Sequence, residues 1–396
     1  MAVQKLKENV FSLRASDWDR TLFDELIPLP DGTSYNAYLV IGKNKTMLID
    51  TVDIRKTDEL IGDLQTLKVN KIDYILSQHS EQDHSGSIPA ILKLYPEAIV
   101  MTNKKGKEFL SDLISIPDEK FNVIEDMTRL DLGGKTLQFV FTPWVHWPET
   151  FSTYLIEDKI LFTCDFFGSH IATNDLFVKD DGKAIEAAKR YYSEIMTPFR
   201  APIRSNLQKL RALDFEIIAP SHGYVYPKPA LIIDAYEEWS SENVKNVVLI
   251  PYLSMHGSIK KFVDRLVRAL QEKGIDARPF DVVTADIGNI AMTLIDAATI
   301  VVASPTMLAA VHPKIAYIAY LANVLRPKAK FASIIGSYDW GGKEIDTLKG
   351  MLDNLKAEII DPVMIKGDGN EKDLKAIDDL AEKIYQKHEA LNLMNR

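Results

Sequence analysis

Cysteine is almost absent from this 396-residue chain, and that absence limits the chemistry that the chain can carry. Its one cysteine, Cys164, excludes an intrachain disulfide and any iron–sulfur or rubredoxin centre built from cysteines of this sequence. Cys164 ends an apolar segment, so we expect a buried and unreactive thiol.

Uninterrupted apolar runs of bilayer length are also missing. The most apolar stretch, Thr299–Leu325, is broken by Pro305 and by His312-Pro313-Lys314. Residues 1–10 have no apolar segment typical of a signal peptide, so we expect a cytoplasmic protein. The formal net charge of −9 argues against nucleic acid and anionic membranes as partners.

The most informative stretch is Gln78-His79-Ser80-Glu81-Gln82-Asp83-His84, which carries two imidazoles and two carboxylates. Ile72–Leu76 before it predicts a buried strand, and Ile88–Leu94 after it predicts a helix with Ser87 as its cap and Pro89 in its first turn. Four potential ligands on a loop at a strand end predict a metal site.

Further polar side chains recur where later apolar strands end. In this half we predict strands over Asn9–Ala15, Tyr35–Ile41, Thr46–Ile49, Lys135–Phe141, Phe151–Ile156, Lys159–Cys164 and Phe215–Ala219, with helices over 56–67 and 183–213, the latter broken by Pro198 and Pro202. His146, Asp165 and His222 each follow the end of a strand. If the strands form one layered sandwich, their ends meet at one rim, where four imidazoles and three carboxylates suffice for two metal ions.

The second half alternates strands with helices, which predicts a doubly wound parallel sheet. The expected strands are Asn246–Tyr252, Thr299–Ala303 and Phe331–Ile335. A small polar loop leads from the first strand into a helix over 259–273, as a phosphate site requires. A later loop holds Tyr338 and Trp340 beside glycines, which suggests a flat aromatic ligand. The GxGxxG fingerprint is absent, which favours FMN over NAD or FAD.

The polar segment Ser240–Lys245 separates the two patterns. We therefore predict two domains, residues 1–245 with the metal site and residues 246–396 with the flavin site.

These motifs closely resemble those of the flavodiiron proteins (A-type flavoproteins), over essentially the whole chain. The family motif H-x-E-x-D-H occurs here as His79, Glu81, Asp83 and His84. Family members join a metallo-β-lactamase-like domain with a non-haem diiron site to a flavodoxin-like domain with FMN. The resemblance implies an α/β protein, an N-terminal αββα sandwich followed by a doubly wound parallel sheet, with two iron ions and FMN per chain.

The resemblance also assigns ligands to the two irons. One iron takes His79, Glu81 and His146, the other takes Asp83, His84 and His222, and Asp165 bridges the pair. In some members the histidine that matches His84 is displaced by water. Hydrolytic relatives have a histidine where this chain has Glu81, and the additional oxygen ligand favours iron over zinc.

Three loops are assigned to FMN by the same comparison. The phosphate loop comprises Ser254, Met255, His256, Gly257, Ser258 and Ile259; a second loop comprises Ser304, Pro305, Thr306 and Met307; the loop at the isoalloxazine ring comprises Ser337, Tyr338, Asp339, Trp340 and Gly341. Ile259 replaces a common threonine, so we expect one hydroxyl contact to the phosphate to be missing.

A departure from the family precedes the segment Gly32-Thr33-Ser34-Tyr35-Asn36-Ala37-Tyr38, which matches the family's G-T-T-Y-N-A-Y. Relatives often have Phe-His where this chain has Phe23-Asp24, so the histidine that they place near the metals is absent or replaced. Tyr192 is a candidate hydrogen-bond donor near the metals, with a packing role as the alternative. His170 is expected beside the ligands rather than among them, five residues beyond Asp165.

The implied activity is the reduction of dioxygen to water as a detoxification in an anaerobe or microaerophile. Two ferrous ions and a reduced FMN together hold the four electrons that this reaction needs. The alternatives are a nitric oxide reductase forming nitrous oxide, a zinc hydrolase of the lactamase or glyoxalase kind, and a flavodoxin-like electron shuttle with a structural metal site. Iron and FMN content distinguish the last two from the first.

Partners follow from the same resemblance. We expect an external electron donor, either rubredoxin or the reduced deazaflavin coenzyme F-420. We also expect a head-to-tail homodimer or a dimer of such dimers, because the short segment Ser240–Lys245 gives no evident way to bring the metal site and the flavin loops of one chain together.

Overall fold

The computed structural model describes residues 3–340, 344–352 and 355–394. Its contacts divide the chain into two units: unit 1 comprises Met1–Tyr192 and Phe199–Ser240, and unit 2 comprises Ser193–Pro198 and Ser241–Arg396. The functional domains predicted from sequence, 1–245 and 246–396, stay a prediction. None of the helices in the described ranges has the length and apolar character that crossing a bilayer requires.

The described residues of unit 1 form fourteen strands: β1 Gln4–Lys7, β2 Val10–Asp17, β3 Leu22–Phe23, β4 Ile27–Pro28, β5 Thr33–Ile41, β6 Thr46–Ile49, β7 Tyr74–Leu76, β8 Ile99–Thr102, β9 Phe121–Val123, β10 Arg129–Asp131, β11 Thr136–Phe141, β12 Phe151–Leu155, β13 Ile160–Cys164 and β14 Ile217–Pro220. One sheet has the order β1-β2-β5-β6-β7-β8-β9 and another the order β10-β11-β12-β13-β14, while β3 and β4 form a short hairpin. Its helices are α1 Thr57–Thr66, α2 Gln82–Ser85, α3 Ile88–Leu94, α4 Lys104–Ile114, α5 Asp181–Tyr191, α6 Arg200–Leu210 and α7 Pro229–Ser240.

The two large sheets of unit 1 pack against each other, because alternate residues of their strands are apolar and point inward. Tyr38 and Met47 of the first sheet share a buried cluster with Phe139 and Phe162 of the second. The opposite face of the first sheet packs on α1, α3 and α4 through a second cluster. This layering is the αββα sandwich predicted from the sequence.

Unit 2 contains strands β15 Lys245–Tyr252, β16 Asp276–Asp281, β17 Ala297–Met307, β18 Ala310–Val311, β19 Phe331–Tyr338, β20 Glu358–Ile359 and β21 Val363–Lys366, with helices α8 Ser258–Glu272, α9 Ile287–Asp296, α10 Pro313–Leu325, α11 Glu344–Met351 and α12 Glu371–Ala390. The parallel sheet has the order β16-β15-β17-β19, continued by β20 and β21. Val301 of β17 packs toward α8 and α12, whereas Ile300 packs toward α9 and α10. Helices therefore cover both faces of the sheet, in the doubly wound order of flavodoxin.

Several local predictions are wrong in detail. Asp83 and His84 lie on the short helix α2 rather than on a loop. Ser87 is the N-cap residue of α3 as predicted, but its hydroxyl donates to Val52 O and makes no capping bond to the helix. Pro202 lies in the first turn of α6, where its missing N–H breaks no helical bond. The segment predicted as the loop Ser304–Met307 is the end of β17, which pairs with β18.

Candidate functional site

Seven predicted ligands converge at one rim of unit 1. They follow β7 (His79 and Glu81), begin α2 (Asp83 and His84), or come after β11 (His146), β13 (Asp165) and β14 (His222). Five of the side chains are buried, and Glu81 and His146 are half-buried. Since strand ends of both sheets meet here, the fold itself assembles the cluster.

Asp165 lies at the centre of the cluster and divides it into two groups. Its Oδ2 lies 3.4 Å from Nε2 of His79 and 3.4 Å from Nε2 of His146. Its Oδ1 lies 2.9 Å from Nε2 of His84 and 3.3 Å from Nε2 of His222. Each oxygen of one carboxylate thus faces a separate pair of imidazoles.

A second carboxylate completes each group. Glu81 Oε2 lies 3.1 Å from Nε2 of both His79 and His146. Asp83 lies 3.4 Å from Nε2 of His84 through Oδ1 and 3.2 Å from Nε2 of His222 through Oδ2. Metal–ligand bonds of about 2.0–2.2 Å would separate neighbouring ligand atoms by about 3.0–3.4 Å, which matches these spacings.

In two of the ligand histidines, a hydrogen bond from the second ring nitrogen, Nδ1, fixes the tautomer. His222 Nδ1–H donates to the carbonyl of Ser34 at 2.7 Å, and His79 Nδ1–H donates to Glu149 Oε1 at 2.7 Å. In the neutral rings, the Nε2 lone pairs therefore face carboxylate oxygens. Neither carboxylate oxygen of Asp83 forms a hydrogen bond with the described residues, although an imidazole nitrogen lies close to each of them. Acceptors that face each other at this distance require a shared cation.

The electrostatics agree with positive charge at the centre. Burial alone would raise the pKa of Asp165, but His84, His146 and His222 hold it well below its usual range. Burial likewise opposes protonation of the rings, yet the carboxylates raise the pKa of His146 to about 9 and that of His222 to about 10. The same carboxylates that raise the pKa of these rings would also stabilise a metal cation among them.

Three contributors around the ligands were missed from the sequence. Glu149 is buried, receives His79 Nδ1–H and also accepts the N–H of Ser80 at 3.0 Å. Asp50 accepts the backbone N–H of Gln78 at 2.8 Å. The ring of Trp147 lies 5.0 Å from that of His79. The only signal for Glu149 was its place three residues after His146.

Cys164 is buried directly beside the cluster, as its apolar surroundings predict. Burial, together with the charges of Asp50 and Asp165, raises the pKa of its thiol well above the ordinary value. The raised pKa favours the protonated thiol over the reactive thiolate.

Two neighbouring tyrosines differ in their surroundings. The ring of Tyr192 contacts those of Tyr236 and Trp239, at centroid distances of 5.1 and 5.4 Å. Tyr191 instead lies 5.9 Å from the ring of His222, and burial followed by the charge of Asp165 raises its pKa. These contacts place the ring of Tyr191 beside a ligand, and the role of Tyr192 stays a prediction.

His170 lies beside the ligand groups and belongs to neither of them. Its ring centroid is 5.1 Å from that of His222, and its Nδ1 is 2.9 Å from the hydroxyl of Thr33. Burial, followed by the neighbouring charge of His222, holds the pKa of His170 well below its usual range. The neutral ring therefore packs against a ligand.

Asp24, which stands where relatives often have a histidine, lines a cavity of about 290 Å³ that reaches Glu81 and Asp83. Arg20, Phe23, Asp53, Gln82, Leu113 and Trp147 complete its wall. Burial, and then the charges of Glu81 and Asp83, raise the pKa of Asp24. A carboxyl group therefore lies at the entrance to the ligand cluster.

Unit 2 has a cleft of about 350 Å³ beyond the carboxyl ends of β15, β17 and β19. Of the residues predicted to bind FMN, the cleft is lined by Met255, His256, Ser258, Pro305, Thr306, Ser337, Tyr338, Asp339 and Trp340. Leu308, Ala309, Gly367 and Asp368 also line it and were missed from the sequence. Gly341 lies outside the described residues.

The remaining described residues of the FMN prediction lie outside the lining of the cleft. Ser254 Oγ accepts the N–H groups of Gly257 and Lys260, at 3.1 and 3.3 Å, and so shapes the loop. Ile259, in the first turn of α8, is buried in the core of unit 2, and Ser304 is also buried. The predicted Met307, at the end of β17, is absent from the described lining.

The cleft suits a polar aromatic ligand. The hydroxyl of Thr306 is buried at its wall and has no hydrogen-bond partner among the described residues. Trp340 is 70% exposed at its edge and Met255 is 44% exposed, so apolar surface remains available for a flat ring. A flavin would offer an apolar ring face to Trp340 and Met255, and polar atoms to the hydroxyl of Thr306.

Comparisons with known proteins agree with both units. Residues 33–223 match the family described as ODP family beta lactamase. A nitric oxide reductase from Moorella thermoacetica is 33% identical over 362 residues, covering 90% of each chain. Flavo-diiron protein FprA2 from Clostridium acetobutylicum is 31% identical over 372 residues, covering 91% of this chain and 92% of that one. The solved structure of rubredoxin oxygen:oxidoreductase from the anaerobe Desulfovibrio gigas matches with a TM-score of 0.94 at 26% identity, covering 98% of this chain and 99% of that one.

The fold and the site define an oxidoreductase class in which a metallo-β-lactamase-like sandwich precedes a flavodoxin-like sheet. Similarity to the Clostridium relative over nearly the full length of both proteins identifies the family. This chain belongs to the flavodiiron proteins.

Proposed function

We propose that the chain reduces dioxygen to water, with electrons from an external donor passing through FMN to two iron ions. The observation that carries the proposal is the placement of Asp165, whose two carboxylate oxygens face two separate ligand groups. One bridging carboxylate between two groups suits a pair of metals better than a single ion.

Iron is favoured over zinc by the donor set. Each group supplies two imidazoles and one carboxylate of its own: His79, His146 and Glu81 in the first, and His84, His222 and Asp83 in the second. With the shared Asp165, each metal would have two carboxylates beside its two imidazoles, and these hard oxygen ligands favour iron, whereas imidazole suits zinc. His84 is included because its Nε2 lies 2.9 Å from Asp165.

When bound, the iron pair and FMN would supply the four electrons that convert one dioxygen and four protons into two waters. The chain's own residues hold and surround that chemistry. Glu149 and the carbonyl of Ser34 orient His79 and His222 through their Nδ1–H groups. Trp147 and Phe23 line the cavity that reaches Glu81.

The proposed FMN site is the cleft of unit 2. Its phosphate end would lie at the N-terminus of α8, where Gly257 adopts a φ of 96°. Its ring end would lie beside Tyr338 and Trp340. The donor is rubredoxin or reduced coenzyme F-420, as the family resemblance implies, and the Desulfovibrio structure is named for the first of these.

The experiment that tests the function combines composition with turnover. Protein reconstituted anaerobically should contain about two irons and one FMN per chain. It should consume dioxygen when rubredoxin or reduced coenzyme F-420 is supplied, with water rather than hydrogen peroxide as the product. One zinc per chain without FMN would contradict the proposal and favour a hydrolase. FMN reduction without dioxygen consumption would favour an electron shuttle.

Nitric oxide reduction is the second candidate. Asp24 lines the cavity where relatives often have a histidine, and the Moorella relative is named nitric oxide reductase. Steady-state rates with dioxygen and nitric oxide, measured on the same preparation with the same donor, decide between the two. A higher kcat/KM for nitric oxide would replace the first assignment.

A further inference from the structure

The loop that carries His222 is held by residues of strand β5, which belongs to the opposite sheet. Asn36 donates its backbone N–H to Ser221 O at 2.8 Å. Its side-chain Nδ2 also donates to Pro220 O at 2.9 Å and to Gly223 O at 3.0 Å. One asparagine thus donates to the backbone carbonyls of three residues that flank His222 on both sides.

Ser34 makes contact from the same strand, two residues earlier. Its hydroxyl accepts the N–H of Gly223 at 3.0 Å, and its carbonyl accepts His222 Nδ1–H at 2.7 Å. Gly223 has a φ of 75°, and a Cβ there would collide with the hydroxyl of Ser169. The loop therefore has little freedom to move while Ser34 keeps its place.

Buried Arg14 locks the asparagine from the neighbouring strand β2. Its Nε donates to Asn36 Oδ1 at 2.8 Å, which fixes the amide so that Nδ2 points at the loop. Its Nη2 donates to Gly223 O at 2.5 Å. Arg14 and Asn36 are both buried, so water cannot easily replace these bonds.

The hydrogen bonds that orient His79, in the first ligand group, differ from those that hold the His222 loop. His79 is oriented by Glu149, and no hydrogen bond described for Glu149 involves β5. The imidazoles of His79 and His222 are therefore oriented by different partners, Glu149 and Ser34, although the groups share Asp165 and Asp50 accepts hydrogen bonds from both Gln78 and Ser221.

We propose that Arg14, Asn36 and Ser34 form a clamp that positions His222, and that the clamp controls the affinity of the metal held by Asp83, His84 and His222. This assigns a role to the segment Gly32–Tyr38. The proposal rests on the function proposed above, because it requires two metals at the cluster. Arg14, Asn36 and Ser34 are positioning residues, since they act on the metal through the ligand loop.

The test is a titration of metal-depleted, full-length protein with Co²⁺, followed by its ligand-field absorption and by competition with a chelator. His222→Ala and His146→Ala serve as references that identify which equivalent belongs to which group. For Ser34→Ala and Asn36→Asp, we expect about 10- to 100-fold weaker binding of the equivalent that His222→Ala removes. The other equivalent should keep its affinity and spectrum.

Matched variants separate positioning from general packing. Ser34→Thr keeps the hydroxyl, which relatives have at this position, and should restore wild-type binding. Ser12→Ala removes a buried hydroxyl on β2 that has no hydrogen-bond partner among the described residues, and should change neither equivalent. If Asn36→Asp fails to fold, Ser34→Ala alone decides, because it removes a single oxygen atom.

The outcomes distinguish the clamp from the function on which it rests. Fewer than two Co²⁺ equivalents on the wild-type chain would overturn the two-metal assignment. Two equivalents on the wild type, with both unchanged in Ser34→Ala, would overturn the clamp alone. Equal weakening of both equivalents would also overturn it, since a scaffold defect would then explain the loss.

Discussion

At the scale of single residues, the ligand chemistry depends on which carboxylate oxygens face the imidazole nitrogens. Glu81 is the side chain that distinguishes this cluster from one rich in imidazole, because its Oε2 lies 3.1 Å from both His79 and His146. Its pKa is held below the usual value by those two rings, despite burial. The carboxylate therefore remains ionised and available to a hard cation.

Replacing that carboxylate tests its importance. We expect Glu81→His to lower iron content and to raise the zinc content of protein reconstituted with equal concentrations of both metals. The reason is that imidazole replaces a charged oxygen ligand. Metal analysis of the variant beside wild type provides the measurement, and Glu81→Asp is the control that keeps the charge. A variant with two irons and full dioxygen turnover would show that Glu81 is not a ligand.

His388 is a buried histidine in unit 2 with a purely structural environment. Its Nδ1–H donates to Asn246 Oδ1 at 2.7 Å, and its Nε2 accepts the hydroxyl of Thr299 at 2.7 Å. Both bonds require the neutral ring. Burial lowers its pKa to about 4. Since the unfolded chain titrates near its ordinary value of about 6.5, the unfolded state binds a proton that the folded state rejects between these values.

Stability should therefore fall as the pH drops from about 6.5 towards 4. At pH 5 the contribution of His388 amounts to about 2 kcal/mol relative to pH 7. Urea unfolding of the full chain without FMN, followed by circular dichroism at both pH values, measures the difference. His388→Gln cannot titrate, so its free energy of unfolding should depend less on pH. An equal loss in variant and wild type would contradict the assignment.

At the scale of elements, strand ends could be predicted and side-chain directions could not. The strand predicted over Thr46–Ile49 has the same limits in the structure, and all seven ligand candidates follow or begin an element at one rim. Tyr191 and Tyr192 lie at the end of α5, where neighbours point about 100° apart. Sequence spacing could not decide which of them faces the ligands.

Long-range contacts explain the other omissions. Glu149 reaches His79 across seventy residues of sequence, and Asn36 reaches Pro220 across 184. Neither pairing follows from local periodicity, because it depends on how the two sheets stack. The sequence predicts a loop at the end of β17 because Ser304 and Pro305 are poor strand formers, yet β18 pairs with Thr306 and Met307.

The residues at the end of strand β19 lead to a prediction about flavin binding. Trp340 is 70% exposed beside Tyr338 and the cleft. We expect Trp340→Ala to weaken FMN binding by roughly tenfold, since a stacking face is lost, and to shift the flavin potential. Fluorescence of released FMN and metal analysis measure the two sites separately, with Trp340→Phe as the control that keeps an aromatic ring. Iron should be retained, so joint loss of iron and FMN would show that the sites are not independent.

At the scale of the whole molecule, the ligand cluster lies within unit 1 and the cleft lies within unit 2. Dioxygen reduction needs the second electron pair before a partly reduced species escapes, so flavin and metals must be nearly in contact during turnover. We propose the head-to-tail homodimer that the family resemblance implies. In it, the FMN of one subunit would serve the metals of the other, and the twofold symmetry would form two such pairs at once.

Mixing two inactive variants tests this arrangement. One chain carries His79→Ala with His146→Ala and has no complete first ligand group; the other carries Trp340→Ala with Thr306→Val and has a damaged flavin cleft. A heterodimer reassembled from both contains one intact flavin facing one intact ligand cluster across the interface, so dioxygen turnover should reappear at up to half the wild-type rate per dimer. Differently tagged chains allow the heterodimer to be purified before the assay. If the purified heterodimer is inactive while a dilute wild-type monomer turns over, the electrons pass within one chain and the dimer proposal is wrong.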